Sequence, residues 1–226
     1  MSSWLKSALR NNRGFIVFLL CFGLFRTAVA DWNPIPSGSM RPTLLEGDVV
    51  FVNRVAYDVK LPLTDVVVAR VGEPQRGDIV TFHSPKDGTR LIKRLVAVPG
   101  DRVELRDGVL LLNGVAAEYH DLSELIEPVA PGLELAATRA IEQVGGRGHA
   151  VQYLSHYGSV RSFGPVVVPA DSYFMLGDNR DNSADSRYIG FVDRRALIGR
   201  AERTLVSADV LGHWLPRLER TWARLE

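Results

Sequence analysis

The amino-acid sequence predicts a mainly β protein: an antiparallel sheet or partly open barrel, interrupted by a smaller inserted α+β domain and preceded by one N-terminal transmembrane helix. Three observations carry this expectation. Residues 48–53, 66–70, 78–82 and 91–98 are short runs rich in β-branched and apolar residues, punctuated by Gly47, Pro62, Gly72-Glu73-Pro74, Gly77 and Asp87-Gly88. Asp107-Gly108 and Asn113-Gly114 are hairpin-turn dipeptides in close succession, so residues 102–114 read as an antiparallel meander. Residues 15–25 form an apolar run behind Lys6, Arg10 and Arg13.

That first run is short for a span. As a helix, eleven residues rise about 16 Å, against about 30 Å of hydrocarbon core. Extension to Ala30 takes in Arg26. Positive charge before the run and Asp31 as the first acidic residue after it place the N-terminus in the cytoplasm if the run is inserted. The residues alone leave two readings open: a retained anchor, or a cleavable secretory signal ending in the small-x-small sequence Ala28-Val29-Ala30, which they slightly favour.

Residues 115–165 change character, with Ala, Glu, Pro and Gly dominant; 134–143 reads as a modest helix and Gly145-Gly146-Arg147-Gly148 as a flexible loop. The predicted divisions are 1–30 for the N-terminus and anchor, 31–114 and 166–226 for the two parts of the main β domain, and 115–165 for an insert. Strand character returns at 166–168 and 172–176, and Asp193 is placed to cap a short helix over 194–198. Near the end, Trp214, Leu215, Leu218, Trp222 and Leu225 fall on one helical stripe beside Arg217, Arg220 and Arg224, a pattern suited to packing on the domain or to an interface.

The chain has 226 residues, 46% hydrophobic and 23% charged, enough for a buried core. A formal charge of +1 leaves no global basic field, so no nucleic-acid partner is expected. The single cysteine, Cys21, excludes an intrachain disulfide or a thiolate metal cluster. His83, His120, His149, His156 and His213 are scattered without metal-ligand spacing; neither metal nor cofactor is expected.

Chemistry gathers in three stretches: residues 35–44 (IPSGSMRPTL), 91–94 (LIKR) and 176–187 (LGDNRDNSADSR). Ser39 lies in a turn where Gly38 gives backbone freedom and Pro36 and Pro42 stiffen the flanks. A serine hydroxyl needs a base to become a nucleophile. Lys93 is the candidate: in a strand it shares a face with Leu91 and Leu95, and hydrocarbon surroundings lower a lysine pKa. Arg94, on the opposite face, reads as partly solvated. The run 178–187 is no calcium loop, since glycine is missing from the sixth position and glutamate from the twelfth.

The three stretches, in this order, closely resemble the boxes of bacterial type I signal peptidases, the Ser-Lys endopeptidase family. The resemblance implies a membrane-bound serine endopeptidase that removes N-terminal signal peptides from exported preproteins after small-x-small sites. It implies Ser39 as nucleophile, Lys93 as base, Ser183 as the group orienting Lys93, and Asp185 with Arg187 as a supporting ion pair. Ser37 and the Ser39 N–H would form the oxyanion hole, and Ile35, Met40, Leu91 and Ile92 match positions lining the substrate pockets. It favours a retained single-pass anchor in the bacterial cytoplasmic membrane, with the catalytic part on the outer side. Preprotein signal peptides and membrane lipids are the implied partners, with the protein-export translocon as a further candidate. The chain departs from some members in lacking aromatics at Asn33 and Leu91 and in having no cysteine pair in the insert. Two other readings stand beside this one: a periplasmic processing peptidase of a conjugation or secretion system, and an inactive module that binds signal sequences.

Overall fold

The computed structural model describes residues 11–64, 66–130, 132–144 and 147–225, with nothing said of the Arg147 side chain. Lys6, Arg10, Gly145 and Gly146, which figure in the sequence expectations, lie outside the described residues. Where a transmembrane helix was expected, the structure has a short helix, α1, Arg13–Ala28, of 16 residues. Such a helix rises about 24 Å, short of the bilayer core. Among the described residues no helix is long and apolar enough to cross a membrane. None of its residues is buried, and Phe15, Phe18, Leu20 and Phe25 are exposed.

The fold is mainly β. Beyond α1 the described residues form a seven-stranded sheet that curls into half a barrel. It is built from β1 (Ala30–Pro34), β2 (Asp48–Asn53), β5 (Ile79–His83), β6 (Arg90–Ala97), β14 (Ser172–Leu176), β15 (Val192–Asp193) and β16 (Leu197–Ser207), in the order β1-β2-β16-β5-β6-β14-β15. Every pairing in it is antiparallel. In β2, Asp48, Val50 and Val52 are buried and their neighbours half-buried, the period-two alternation of a sheet covered mainly on one side. β3 (Asp58–Lys60) and β4 (Val67–Arg70) make a separate ribbon.

The meander is present as β7 (Arg102–Arg106), β8 (Val109–Leu112) and β9 (Val115–Ala116), with β13 (Phe163–Val167) added beside β7. Both turn dipeptides take left-handed backbone, with φ of 48° and 89° at Asp107-Gly108 and 54° and 84° at Asn113-Gly114. These are the angles that match a two-residue turn to strand twist.

The insert requires a correction. The helix expected over 134–143 is strand β11 (Leu133–Val144), the centre of a three-stranded sheet between β10 (Glu118–Ala130) and β12 (Arg147–Leu154). The segment is therefore β rather than α+β. Ala136, Ala137, Ala140, Glu134 and Glu142 favour helix in isolation, but pairing on both edges and burial of Ala137, Ala140 and Glu142 override that preference.

Two further corrections concern the C-terminal part. Asp193 does cap, accepting from the Arg195 N–H, but the turn it starts is a single 3-10 turn, Arg194–Ala196. Leu197 and Ile198, nearly fully buried, already belong to β16. The expected helical stripe over 214–225 is not a helix: only Leu218–Arg220 turns helically, and Trp214 and Trp222 have φ of 57° and 63°. The segment instead bonds along β16 through Arg217 N–H to Ser207, Ala223 carbonyl to Thr204 N–H, and Leu225 N–H to Glu202. Leu225 packs inward while Trp214, Leu215, Leu218 and Trp222 remain exposed.

Candidate active site

Ser39 occupies a 3-10 turn, Gly38–Met40, between β1 and β2. Such a turn leaves its first N–H groups without partners inside it, which turns backbone donors toward whatever lies beside the serine. Met40 and Ile35 are buried in a cluster with Leu44, Val50 and Val52, and that cluster anchors the turn to β2.

Lys93 lies in β6, opposite Val80 of β5. Its Nζ is 2.7 Å from Ser39 Oγ and 2.9 Å from the Ile92 carbonyl. Only 3% of the residue is exposed. Burial pulls its pKa down to about 8, against the opposing pull of the Asp185 and Asp178 carboxylates. The structure thus brings together two residues 54 positions apart.

Arg94 needs correction: it is not partly solvated but 1% exposed. It forks onto Asp178 with Nε and Nη2 each 2.8 Å from a carboxylate oxygen, and donates to the Gly77 carbonyl. Asp178 also accepts from Thr43 Oγ1 at 2.5 Å. Burial alone would raise its pKa, but the Arg94 guanidinium holds it below the ordinary carboxylate value. Asn179 next to it donates its N–H to the Ser39 carbonyl at 3.2 Å and its Nδ2 to the Gly38 carbonyl at 3.0 Å. Sequence reasoning gave Asp178, Asn179 and Thr43 no role, although all three stood inside the quoted stretches. Partners this distant in sequence leave no local signal.

Asp185 caps the short helix α2 (Ser186–Ile189) and accepts the Gly177 N–H at 3.0 Å. Arg187 pairs with it at 2.8 Å through both Nε and Nη2, and reaches on to the Arg180 and Val160 carbonyls. Ser183 is buried, and its hydroxyl has no hydrogen-bond partner. It is not bonded to Lys93; it packs on Gly177, where an added Cβ would sit 2.2 Å from Ser183 Oγ and 2.5 Å from the Ser39 carbonyl oxygen. Ser37 precedes the turn, exposed, its hydroxyl making no cap. Of the four pocket positions, Ile35, Met40 and Ile92 share a cluster, while Leu91 packs with Tyr57, Phe82 and Leu95 in another. Strand alternation separates Leu91 from its neighbour. Among the described residues no group of three or more His, Cys, Asp or Glu side chains is placed to hold a metal ion.

Comparison with known proteins shows the family. Residues 9–206 match the family model described as signal peptidase, peptidase S26. The chain is 36% identical over 203 residues to signal peptidase I of Pseudomonas fluorescens, covering 84% of this chain and 69% of that protein. It is 34% identical over 202 residues to signal peptidase I of Pseudomonas aeruginosa, with the same coverage of 84% and 69%. Signal peptidase I of Rickettsia massiliae is 33% identical over 210 residues, 84% of this chain and 76% of that one. The matched span runs from α1 through β16 and takes in Ser39, Lys93 and the 176–187 stretch alike, so the chain belongs to the signal peptidase family, peptidase S26.

Proposed function

We propose that this protein is a membrane-anchored serine endopeptidase that cleaves N-terminal signal peptides from exported preproteins after small-x-small sites. The observation that carries the reading is the 2.7 Å contact between Ser39 Oγ and a buried Lys93 whose pKa falls to about 8. A substantial neutral fraction of such an amine is available near pH 8. It takes the Ser39 proton as Oγ attacks the scissile carbonyl, then returns that proton to the leaving amine. The same neutral amine next draws a proton from water, which hydrolyses the acyl-enzyme and restores the serine.

The oxyanion is received by the Ser39 N–H, near the start of the 3-10 turn, and by the exposed Ser37 hydroxyl. Ser183, buried beside the Ser39 carbonyl with a free hydroxyl, is the group we assign to orienting the Lys93 amine once Oγ is acylated. Asp185 and Arg187 fix the chain under Gly177. Ile35, Met40 and Ile92 wall the small-residue pocket from one side and Leu91 borders it from the other face of β6. α1, apolar and unburied, is the membrane-facing end of a single-pass anchor whose catalytic half-barrel, with 115–165 as a second domain, lies on the outer side of the bacterial cytoplasmic membrane.

A model preprotein tests this. Ser39→Ala, Lys93→Ala and the double variant are expected to fall to nearly one common floor, since nucleophile and base act as a unit. Product N-terminal sequencing should place the cut after a small-x-small site. Additive losses would defeat the pairing.

A further inference from the structure

Arg41 directly follows the nucleophile turn, and it is only 7% exposed. A buried guanidinium is tolerable only when its donors meet carboxylates or carbonyls. Two carboxylates meet it. Nε is 2.7 Å from Glu46 Oε2, and Nη1 donates to Glu127 Oε1. Glu46 is local, whereas Glu127 comes from β10, 86 residues away, and is itself only 2% exposed.

The second oxygen of Glu127 accepts from Arg139 of β11 at 2.7 Å. Arg139 Nε donates to Gln152 Oε1 of β12 at 2.9 Å, across a direct strand pairing. The Gln152 backbone brackets Asn179, its N–H donating to the Asp178 carbonyl and its carbonyl accepting from the Arg180 N–H, each at 2.8 Å. Asn179 in turn holds the Gly38 and Ser39 carbonyls. The contacts therefore close a ring that leaves the nucleophile turn through Arg41, visits one residue on each strand of the three-stranded sheet, and returns through Asn179.

The turn sits tightly between the two arms of this ring. The Arg41 N–H donates to the Gly38 carbonyl at 3.1 Å. A Cβ built on Gly38 would lie 2.8 Å from Glu46 Oε1 and 3.2 Å from Arg41 Cδ, so the Arg41–Glu46 pair is a floor directly beneath the residue before Ser39. Moving Arg41 moves that floor.

We propose that Arg41 and Glu127 are positioning residues for Ser39, and that the three-stranded sheet is a brace for the nucleophile turn. This rests on Ser39 being the nucleophile. The brace matters because the attacking oxygen must lie within a few tenths of an ångström of its productive place; a displacement of about 1 Å costs on the order of 100-fold in rate. The substrate pockets are not part of the ring, so binding should be spared.

The test uses the full chain in detergent with a model preprotein, comparing wild type, Glu127→Gln, Arg41→Met, the double variant, Arg41→Lys and Ser39→Ala. Folded fraction is read by near-ultraviolet circular dichroism. Glu127→Gln and Arg41→Met are each expected to lower kcat per folded molecule about 10-fold or more, with KM within about twofold and the pH midpoint set by Lys93 unmoved. The double variant should lose no more than the worse single one, as for two members of one linkage. Arg41→Lys keeps a cation between the carboxylates and should recover part of kcat. If kcat per folded molecule stays within about twofold while only the denaturation midpoint falls, or if the two losses multiply, the positioning role is wrong. Should Arg41→Met fail to fold, Glu127→Gln and Arg41→Lys decide alone. Turnover surviving in Ser39→Ala would instead defeat the assignment of the nucleophile, a separate outcome.

Discussion

Lys93 shows how a site residue works against the fold that contains it. Its pKa falls from 10.5 to about 8 because burial disfavours the ammonium. Between those values the unfolded chain binds a proton that the folded one has released, so this residue's contribution to stability rises with pH across that window. Below it the cost of about 3 kcal/mol is fully present. Lys93→Met should therefore abolish cleavage yet be more stable than wild type at pH 7, by up to about that amount, with the gap in urea denaturation closing as pH approaches 10.5. For the active enzyme, kcat/KM should rise with pH through about 8; a profile already flat at pH 6 would remove Lys93 from the base role. A second residue test is Gly177→Ala. Its methyl group would press on Ser183 Oγ and the Ser39 carbonyl, so cleavage should drop by at least about 10-fold in a protein that still folds. Unchanged turnover would mean the turn gives way freely.

Strands and turns divide into those governed by local chemistry and those governed by their surroundings. The meander was legible because Asp107-Gly108 and Asn113-Gly114 admit the positive φ that a two-residue hairpin demands. Gly108→Ala, at φ 89°, should cost about 1–2 kcal/mol in denaturant unfolding, and a neutral result would show that the turn relaxes into another type. β11 was not legible, because alanine and glutamate carry helix preference and only the flanking strands β10 and β12 decide otherwise. The 214–225 stripe was misread for a related reason: apolar spacing of 3.6 also arises in a chain that folds along β16 and leaves Trp214, Leu215, Leu218 and Trp222 outside. The site divides in the same way. Ser39 and Lys93 stand in short stretches whose residue types limit their chemistry, whereas Asp178, which meets Arg94, and Glu127, which meets Arg41, lie 84 and 86 residues off and meet them only when the sheets assemble.

At the scale of the whole molecule, the junction between α1 and the half-barrel decides whether the protein cuts itself. Ala28-Val29-Ala30 is a small-x-small sequence of the kind the proposed activity cuts, and the structure divides it: Ala28 ends α1, while Ala30 begins β1, buried and paired opposite Asn53. The bond after Ala30 leads to Asp31, which Arg90 holds at 2.7 Å and Arg26 at 3.4 Å. Burial raises the Asp31 pKa less than these partners, led by Arg90, lower it, so the carboxylate stays charged and engaged. A protease that reads extended, unpaired backbone cannot take this segment without first stripping β1 from β2. Intact-mass analysis of protein taken directly from cells should therefore show the N-terminal segment retained. In detergent, clipping after Ala30 should be slow, rise with enzyme concentration as one molecule cuts another, and vanish in Ser39→Ala. Asp31→Ala, which releases the anchor on β1, should speed it severalfold while cleavage of an external preprotein changes little. A species beginning at Asp31 as the major form in cells would overturn the anchor. Clipping indifferent to Asp31→Ala would show that strand pairing at β1 is not what shields the site.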